Sequence, residues 1–558
     1  MAQNAFVKAA TLDPALTNVR TENGALSYAT IGSALLDQFG KAGTARGRDI
    51  HDVWAEQSKL WADDPNTALR FPFYLRMITR QANVGNGTKT AKVQRGQGAK
   101  DESFKRFLWI AKYHPETFYA NLWLIPIVGS WKDLWVLLSM DKSLDRRKFF
   151  EVMAEGINDA TTVDLVKKYM PRIRSNSKCK TEWAKQSNED AKAFAKFAGW
   201  SFEDYRTFKA TGKAHTFQTY MCKGLYNEID WNTIPGKALL NLVTGKFLDA
   251  HGLNDKYIAW LKTQPVAKFN GYAFELGHKL GGGDSWYGYK EPSMVTKITV
   301  DKQFRGLIET AKKDEGGIKG NVLCGLDTSG SMTSQIQGAN GVTSYDVCVS
   351  LGIYFSELNE GAFHNVVGMF ADTSELFTLS GEFSDKWSQI KHHRDAMGST
   401  NFQSLIDLIV NTRRKHPEIP LNEFPQTLLV VSDMQFNPAG RSIYDYWGSR
   451  NTWDAQAEQT NYQMAMQKLR SVFPQEFVDG FKIIWWYCAG RPTNDYPTNT
   501  TNKGTYMISG FDGSVISFVL GGEDKIDPNT GAKVEKTMQE VVDEALSQEA
   551  LQFLKLVD

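Results

Sequence analysis

The sequence predicts a multidomain α plus α/β protein, an array of helices followed by a doubly wound sheet. Three observations carry this. The chain has 558 residues, enough for two or more domains. From Ile50 to about residue 310, apolar residues recur near a 3.6 period in runs of roughly 10 to 15 residues, broken by Pro or Gly. From about residue 319, short continuous apolar runs alternate with amphipathic stretches, as in a parallel sheet covered on both faces.

Composition narrows the function classes. Apolar residues at 42 % and charged residues at 23 % describe a globular chain with a large core. The net charge is +1, so any nucleic-acid surface must be a local patch rather than a property of the whole molecule. The 16 Trp suffice for core and interface filling and leave base stacking open. The 5 Cys show neither C-x-x-C spacing nor a compact framework, which points to reduced cytosolic thiols. Residues 1–20 contain no apolar signal core, and no stretch approaches the roughly 20 apolar residues of a membrane span. A soluble, cytoplasmic monomer with no membrane partner is the expectation.

Taken in order, residues 1–45 read as a small, polar, Gly-containing arm with one short helix. Residues 46–312 read as the helical domain. DIHDVWAEQSKLWADD sets Val53, Trp54, Leu60 and Trp61 near one face, and Asp64-Pro65-Asn66 ends that run before TALRFPFYLRMITRQ. Residues 83–100 form a Gly-rich basic loop with Lys89, Lys92, Arg95 and Lys100. ESFKRFLWIAKYH stops at Pro115, PETFYANLWLI stops at Pro126, and a turn at Gly129-Ser130 opens the helix that carries Trp131 and Leu134. No clean period links these helices, so they read as stacked hairpins in an irregular solenoid.

The most basic stretch is 163–186, where Lys167, Lys168, Arg172, Arg174, Lys178, Lys180 and Lys185 face only Asp164 and Glu182. Pro171 and Ser175-Asn176-Ser177 place part of it on a loop. Basic residues on a loop beside aromatics suit phosphate contact, and a solvated charged face is the alternative. A polar link near 312–320 closes the helical half.

The α/β domain, 313–525, opens on LCGLDTSGSM. Strand 322–326 ends in Asp327, and Ser329 and Ser331 follow at alternate positions. One carboxylate and two hydroxyls in a tight Gly-containing loop are hard oxygen donors suited to Mg²⁺. A strand ending in a plain Ser/Gly turn is the alternative. Gly398-Ser399-Thr400-Asn401 adds a hydroxyl before a helical run, and TLLVVSDMQF is a second buried strand ending in Ser432-Asp433. An aspartyl-phosphate enzyme wants a second acid two residues after the nucleophile, where Ser329 stands. The tail, 526–558, reads as an amphipathic helix that packs back on the body.

These three loops resemble the von Willebrand factor A domain and its metal-ion-dependent adhesion site (MIDAS). The resemblance implies Mg²⁺ or Mn²⁺ ligated directly by Ser329 and Ser331, by Thr400 in some states, and by Asp327 and Asp433 mostly through water. Across the chain, FPFYLRMITR (71–80), RGQGAKDESFKRFL (95–108), IPIVGSWKDL (125–134), Tyr205-Arg206, Ile229-Asp230-Trp231, LDTSGSM, GSTNF, VVSDMQF and ISGFDGS follow one another as in TROVE-module proteins of the Ro autoantigen family. They are closer still to a sister family also found in viruses. Ala99-Lys100-Asp101 departs from that family's acidic-then-arginine ending. The resemblance implies a HEAT-like helical ring or horseshoe closed by the A domain, with structured RNA on a basic outer face and single-stranded ends in the central hole.

Two functions follow as expectations. The first is a non-catalytic RNA-binding protein that uses Lys89, Lys92, Arg95, Lys167, Lys168, Arg172, Arg174, Lys178 and Lys180. The second is an adaptor whose metal captures a partner protein's carboxylate. A hydrolase finds no support: there is no P-loop and no Ser/His/Asp order, and His114, His278, His364, His392 and His393 read as surface or core histidines.

Overall fold

The structure, a computed structural model, describes residues 18–77, 81–84, 89–92, 96–211, 216–281, 291–339, 341–393, 398–439, 459–490, 493–520, 525–526, 533–534 and 536–557. It forms two compact units: Met1–Gly47 with Pro235–Ala545, and Arg48–Ile234 with Leu546–Asp558. The predicted limits at 45, 312 and 525 mark changes in the kind of element, whereas these units are divided at 47, 234 and 545. None of the described helices is long and apolar enough to cross a membrane. All five cysteines are free.

The second unit is helical. Its helices include Ile50–Asp63, Pro65–Arg76, Lys100–Tyr113, Trp131–Met140, Arg146–Asn158, Val163–Tyr169, Glu182–Phe197 and Phe202–Ala210. Local chemistry explains their limits. Asp49 and Asp64 each cap a helix start by accepting a backbone N–H two residues on. Ser130 with Asp133 and Ser201 with Asp204 make reciprocal capping boxes. Pro72 lies inside Pro65–Arg76 and cannot donate to the Ala68 carbonyl, and the Gln57 amide donates to it instead at 2.9 Å. Pro126 does not end a helix as expected. It sits in the first turn of Leu124–Val128, where its missing N–H has no intrahelical partner to lose. The buried Arg76–Asp133 pair, 2.6 Å apart, ties two helices together. The basic loop after Met77 contains an antiparallel hairpin, Gln81–Val84 with Lys89–Lys92.

The first unit is built on a six-stranded sheet. In chain order its strands are β1 (Val322–Asp327), β2 (Val366–Phe370), β3 (Ser374–Thr378), β4 (Thr427–Ser432), β5 (Lys482–Tyr487) and β6 (Thr505–Ser509). Their spatial order is β6-β5-β4-β1-β2-β3. All neighbours are parallel except β2 and β3. This corrects the expectation of an all-parallel sheet. Only Ala371–Thr373 join β2 to β3, too few residues for a crossover helix, so the edge strand turns back. β1 and β4 are buried along their whole length, as strands covered on both faces must be. Trp485 and Trp486 on β5 are the largest fully buried side chains among the described residues.

Three further differences concern ends. Helix Met294–Glu315 runs through the start of the expected 312–320 link and stops at Gly316, whose φ of 80° suits glycine. The arm contains a hairpin, Asn18–Arg20 with Leu26–Tyr28, and helix Ala34–Ala42. The tail is not one helix over 536–557: Met538–Leu546 is α-helical and Glu549–Phe553 is a separate 3₁₀ turn.

Candidate nucleic-acid groove and strand-end oxygen cluster

In the helical unit, the basic stretch lies beside an open groove of about 800 Å³. Lys168, Arg172 and Arg174 line it, and the fold adds Lys132, Arg206, Lys209 and Lys223 from other helices. One acid, Asp190, lines it too, 3.3 Å from Arg146. The loop that carries Arg172 and Arg174 is braced at both ends. The Tyr205 hydroxyl donates to the Pro171 carbonyl at 2.8 Å, and the Arg174 N–H donates to Asn188 at 2.8 Å. Burial, with the Arg172 charge adding to it, pulls the Lys209 ammonium down to about 8. Trp183, in the first turn of Glu182–Phe197, lines the groove and is 60 % exposed.

The other predicted basic residues fall elsewhere. Lys167 sits over the Phe208 ring, 4.4 Å from its centre, and does not line the groove. Lys178 and Lys180 are exposed beyond the loop, and Lys185 pairs with Glu182 at 2.7 Å. Lys89 and Lys92 stand at the two ends of a hairpin strand, and Arg95 lies outside the described residues. Lys100 is 3.6 Å from Asp133, in the buried Arg76 cluster. Sequence reasoning missed Lys132, Arg206, Lys209, Lys223 and Trp183. No contiguous run marks them, because they converge only when their helices pack.

In the sheet unit, β1 and β4 are neighbours at the point where the strand order reverses, so their carboxyl ends flank the crevice where such sheets collect ligands. Asp327 closes β1 and Asp433 follows β4 directly. Hydrogen bonds knit the three predicted loops together. The Ser432 hydroxyl donates to Asp327 Oδ2 at 2.6 Å, joining the first and third loops. Gly330 N–H donates to the Gly398 carbonyl at 3.2 Å, joining the first and second. Asn437 joins the second and third, from its N–H to the Thr400 carbonyl at 2.9 Å and from its amide to Ser399 Oγ at 2.7 Å.

Asp327, Ser329, Thr400 and Asp433 are all buried, and Ser331 is half-buried. Asp327 Oδ1 accepts the Ser329 N–H at 2.9 Å, and Ser329 Oγ lies 3.2 Å from Ser331 Oγ. Burial first, and the Asp433 charge second, push the Asp327 carboxyl well above the usual carboxylate range. Met434 holds a left-handed φ of 63° while fully buried, a conformation that a bulky residue adopts only when its surroundings impose it.

This donor set fits a hard divalent ion. It offers only oxygen, from two carboxylates and three hydroxyls. Neighbouring ligands of an octahedral Mg²⁺ lie about 2.9 Å apart, given Mg–O distances near 2.0–2.1 Å, and the two serine hydroxyls are close to that spacing. Each Asp327 oxygen already accepts one protein hydrogen bond and keeps a lone pair for a bound water.

The fold thus joins a helical unit bearing a basic groove to an α/β unit bearing a strand-end oxygen cluster. Residues 21–229 match a family model described as a domain of unknown function, DUF2828, and residues 321–556 match another so described, DUF7788. No curated protein matches the chain. Among solved structures, the chain is similar to the RO (RSR) protein of Deinococcus radiodurans, at 14 % identity over 86 % of this chain and 97 % of that one, with a TM-score of 0.45.

Proposed function

We propose that this chain is a non-catalytic RNA-binding protein that holds the phosphate backbone in the groove of its helical unit. The groove itself is the observation behind this reading: Lys132, Lys168, Arg172, Arg174, Arg206, Lys209 and Lys223 converge there, in a chain whose net charge is +1. Charge gathered so locally suits a polyanion, and phosphate contacts dominate such binding. The braced loop presents Arg172 and Arg174 already ordered, which lowers the entropy lost on binding. A phosphate beside Lys209 would favour its charged form and offset the lowering by burial. Trp183 offers a flat face on which an unpaired base can stack.

The sheet unit holds a Mg²⁺ or Mn²⁺ ion in the same reading. Ser329, Ser331 and Thr400 hold it directly, and Asp327 and Asp433 hold it directly or through water. The ion neutralises two buried carboxylates and can accept a further oxygen. Capture of a partner's carboxylate at that position is the second reading, and the favourable donor set supports it.

Retention of total RNA on filters, over a salt series with and without EDTA, tests the reading. We expect affinity to fall steeply with salt and to survive EDTA, because the groove meets phosphate through Lys and Arg side chains and its one carboxylate, Asp190, is paired with Arg146. Failure to retain RNA at about 50 mM salt, where phosphate contacts are strong, overturns it. Loss of retention in EDTA moves the site to the oxygen cluster.

A further inference from the structure

The turn of the N-terminal hairpin is tied to the loop that follows Asp433. The Thr21 hydroxyl donates to the Phe436 carbonyl at 2.8 Å, the Glu22 N–H donates to Gln435 Oε1 at 2.7 Å, and the Asn23 amide donates to the Gln435 carbonyl. Glu22, Ser331, Asp433 and Gln435 line one small pocket of about 30 Å³. Because Gln435 Oε1 accepts from Glu22, the other end of the amide is identified as Nε2. That Nε2 has no hydrogen-bond partner among the described residues, on a residue only 6 % exposed. Leaving a buried N–H without an acceptor is unfavourable, so an oxygen belongs beside it.

We propose that the Glu22 carboxylate is an internal ligand of the oxygen cluster. One oxygen takes the open position on the cation, and the other accepts from Gln435 Nε2. This rests on reading the cluster as a cation site. The pocket's volume matches about one water, so an outside side chain can enter only when Glu22 leaves. The three hydrogen bonds of the turn keep Glu22 beside the site, which gives it an effective concentration that free carboxylates reach only in the millimolar range. The hairpin is therefore a stopper for the cation's open position, and a partner carboxylate must displace it.

Mn²⁺ titration of the full chain and of Glu22→Gln tests this, with free Mn²⁺ followed by electron paramagnetic resonance and bound water by proton relaxation, with and without acetate as the probe. Glu22 is exposed, so the substitution leaves the fold intact. We expect Glu22→Gln to bind Mn²⁺ about 10-fold more weakly, to gain one bound water, and to regain affinity in acetate, which leaves the unaltered chain unchanged. Equal affinity, hydration and acetate response in both proteins removes Glu22 as a ligand and leaves the cation site standing. An unaltered chain that binds no Mn²⁺ at millimolar metal overturns the cation reading, and this proposal with it.

Discussion

In the helical unit, Arg172 and Arg174 stand exposed on an irregular segment between helices, among other cations. In the sheet unit, Asp327 and Asp433 are closed in at the ends of adjacent parallel strands. Both sites gather like charge, but the cost differs. Exposed cations repel weakly because water and salt screen them. Buried carboxylates repel through a medium that screens little, so holding both of them charged is costly to folding. The groove should therefore respond to ionic strength, and the cluster to protons and divalent metal.

The largest expected effect is on the groove. Replacing Lys168, Arg172 and Arg174 together by Ala should flatten the log–log salt slope of RNA binding by about 2, at about 0.7 per lost contact with a single strand, and weaken binding about 100-fold near 0.1 M salt. An unchanged slope in filter binding would mean that the groove is a solvated face and that the phosphates lie elsewhere.

Trp183→Ala separates stacking from charge. It should weaken single-stranded RNA by about 1–3 kcal/mol, leave the salt slope alone, and spare a duplex of equal length. The side chain is largely exposed, so the melting temperature should hold. An equal loss for the duplex would show that no base stacks there.

The most gradual effect, spread over several pH units, belongs to the cluster and to the metal-free protein. Because the folded Asp327 carboxyl titrates above its unfolded range, the unfolded chain ionises first as pH rises, and stability falls from the carboxylate range toward neutrality. Asp327→Asn should remove this contribution, at most about 1.4 kcal/mol per pH unit. Urea unfolding across that range would show the difference, and parallel pH profiles for the two proteins would contradict it.

The two regions also differ in how far they can be read from sequence. Asp327, Ser329, Ser331 and Asp433 follow strand ends directly, so local pattern places them, and Thr400 comes with its own loop before a helix. Gln435 and Glu22 escaped, because nothing within a few residues of either marks the approach of a hairpin more than four hundred positions away. In the groove, charge density marks Lys168, Arg172 and Arg174 but equally marks Lys167, Lys178 and Lys180, which the fold turns elsewhere. Lys132, Arg206, Lys209 and Lys223 sit singly on helices whose packing the sequence does not display. The helical and α/β halves were legible because periodicity is a local property. The reversal of β3 turned on counting the three residues before it.

Among the described residues the sheet ends on one side at β6, whose single strand neighbour is β5. Helix Ala34–Ala42 and Gly43 lie against β6: Gly43 N–H donates to Ser509 Oγ at 3.0 Å, and a Cβ on Gly43 would come 2.5 Å from the Ser509 carbonyl. That helix shields the strand from adding a strand of another molecule. Trimming the first 47 residues would therefore do more than lower stability. It would uncover β6 to self-association, and the product would be lost as aggregate, while at the far edge the five-residue β3, with Glu375 on it, remains poorly suited to recruiting a neighbour.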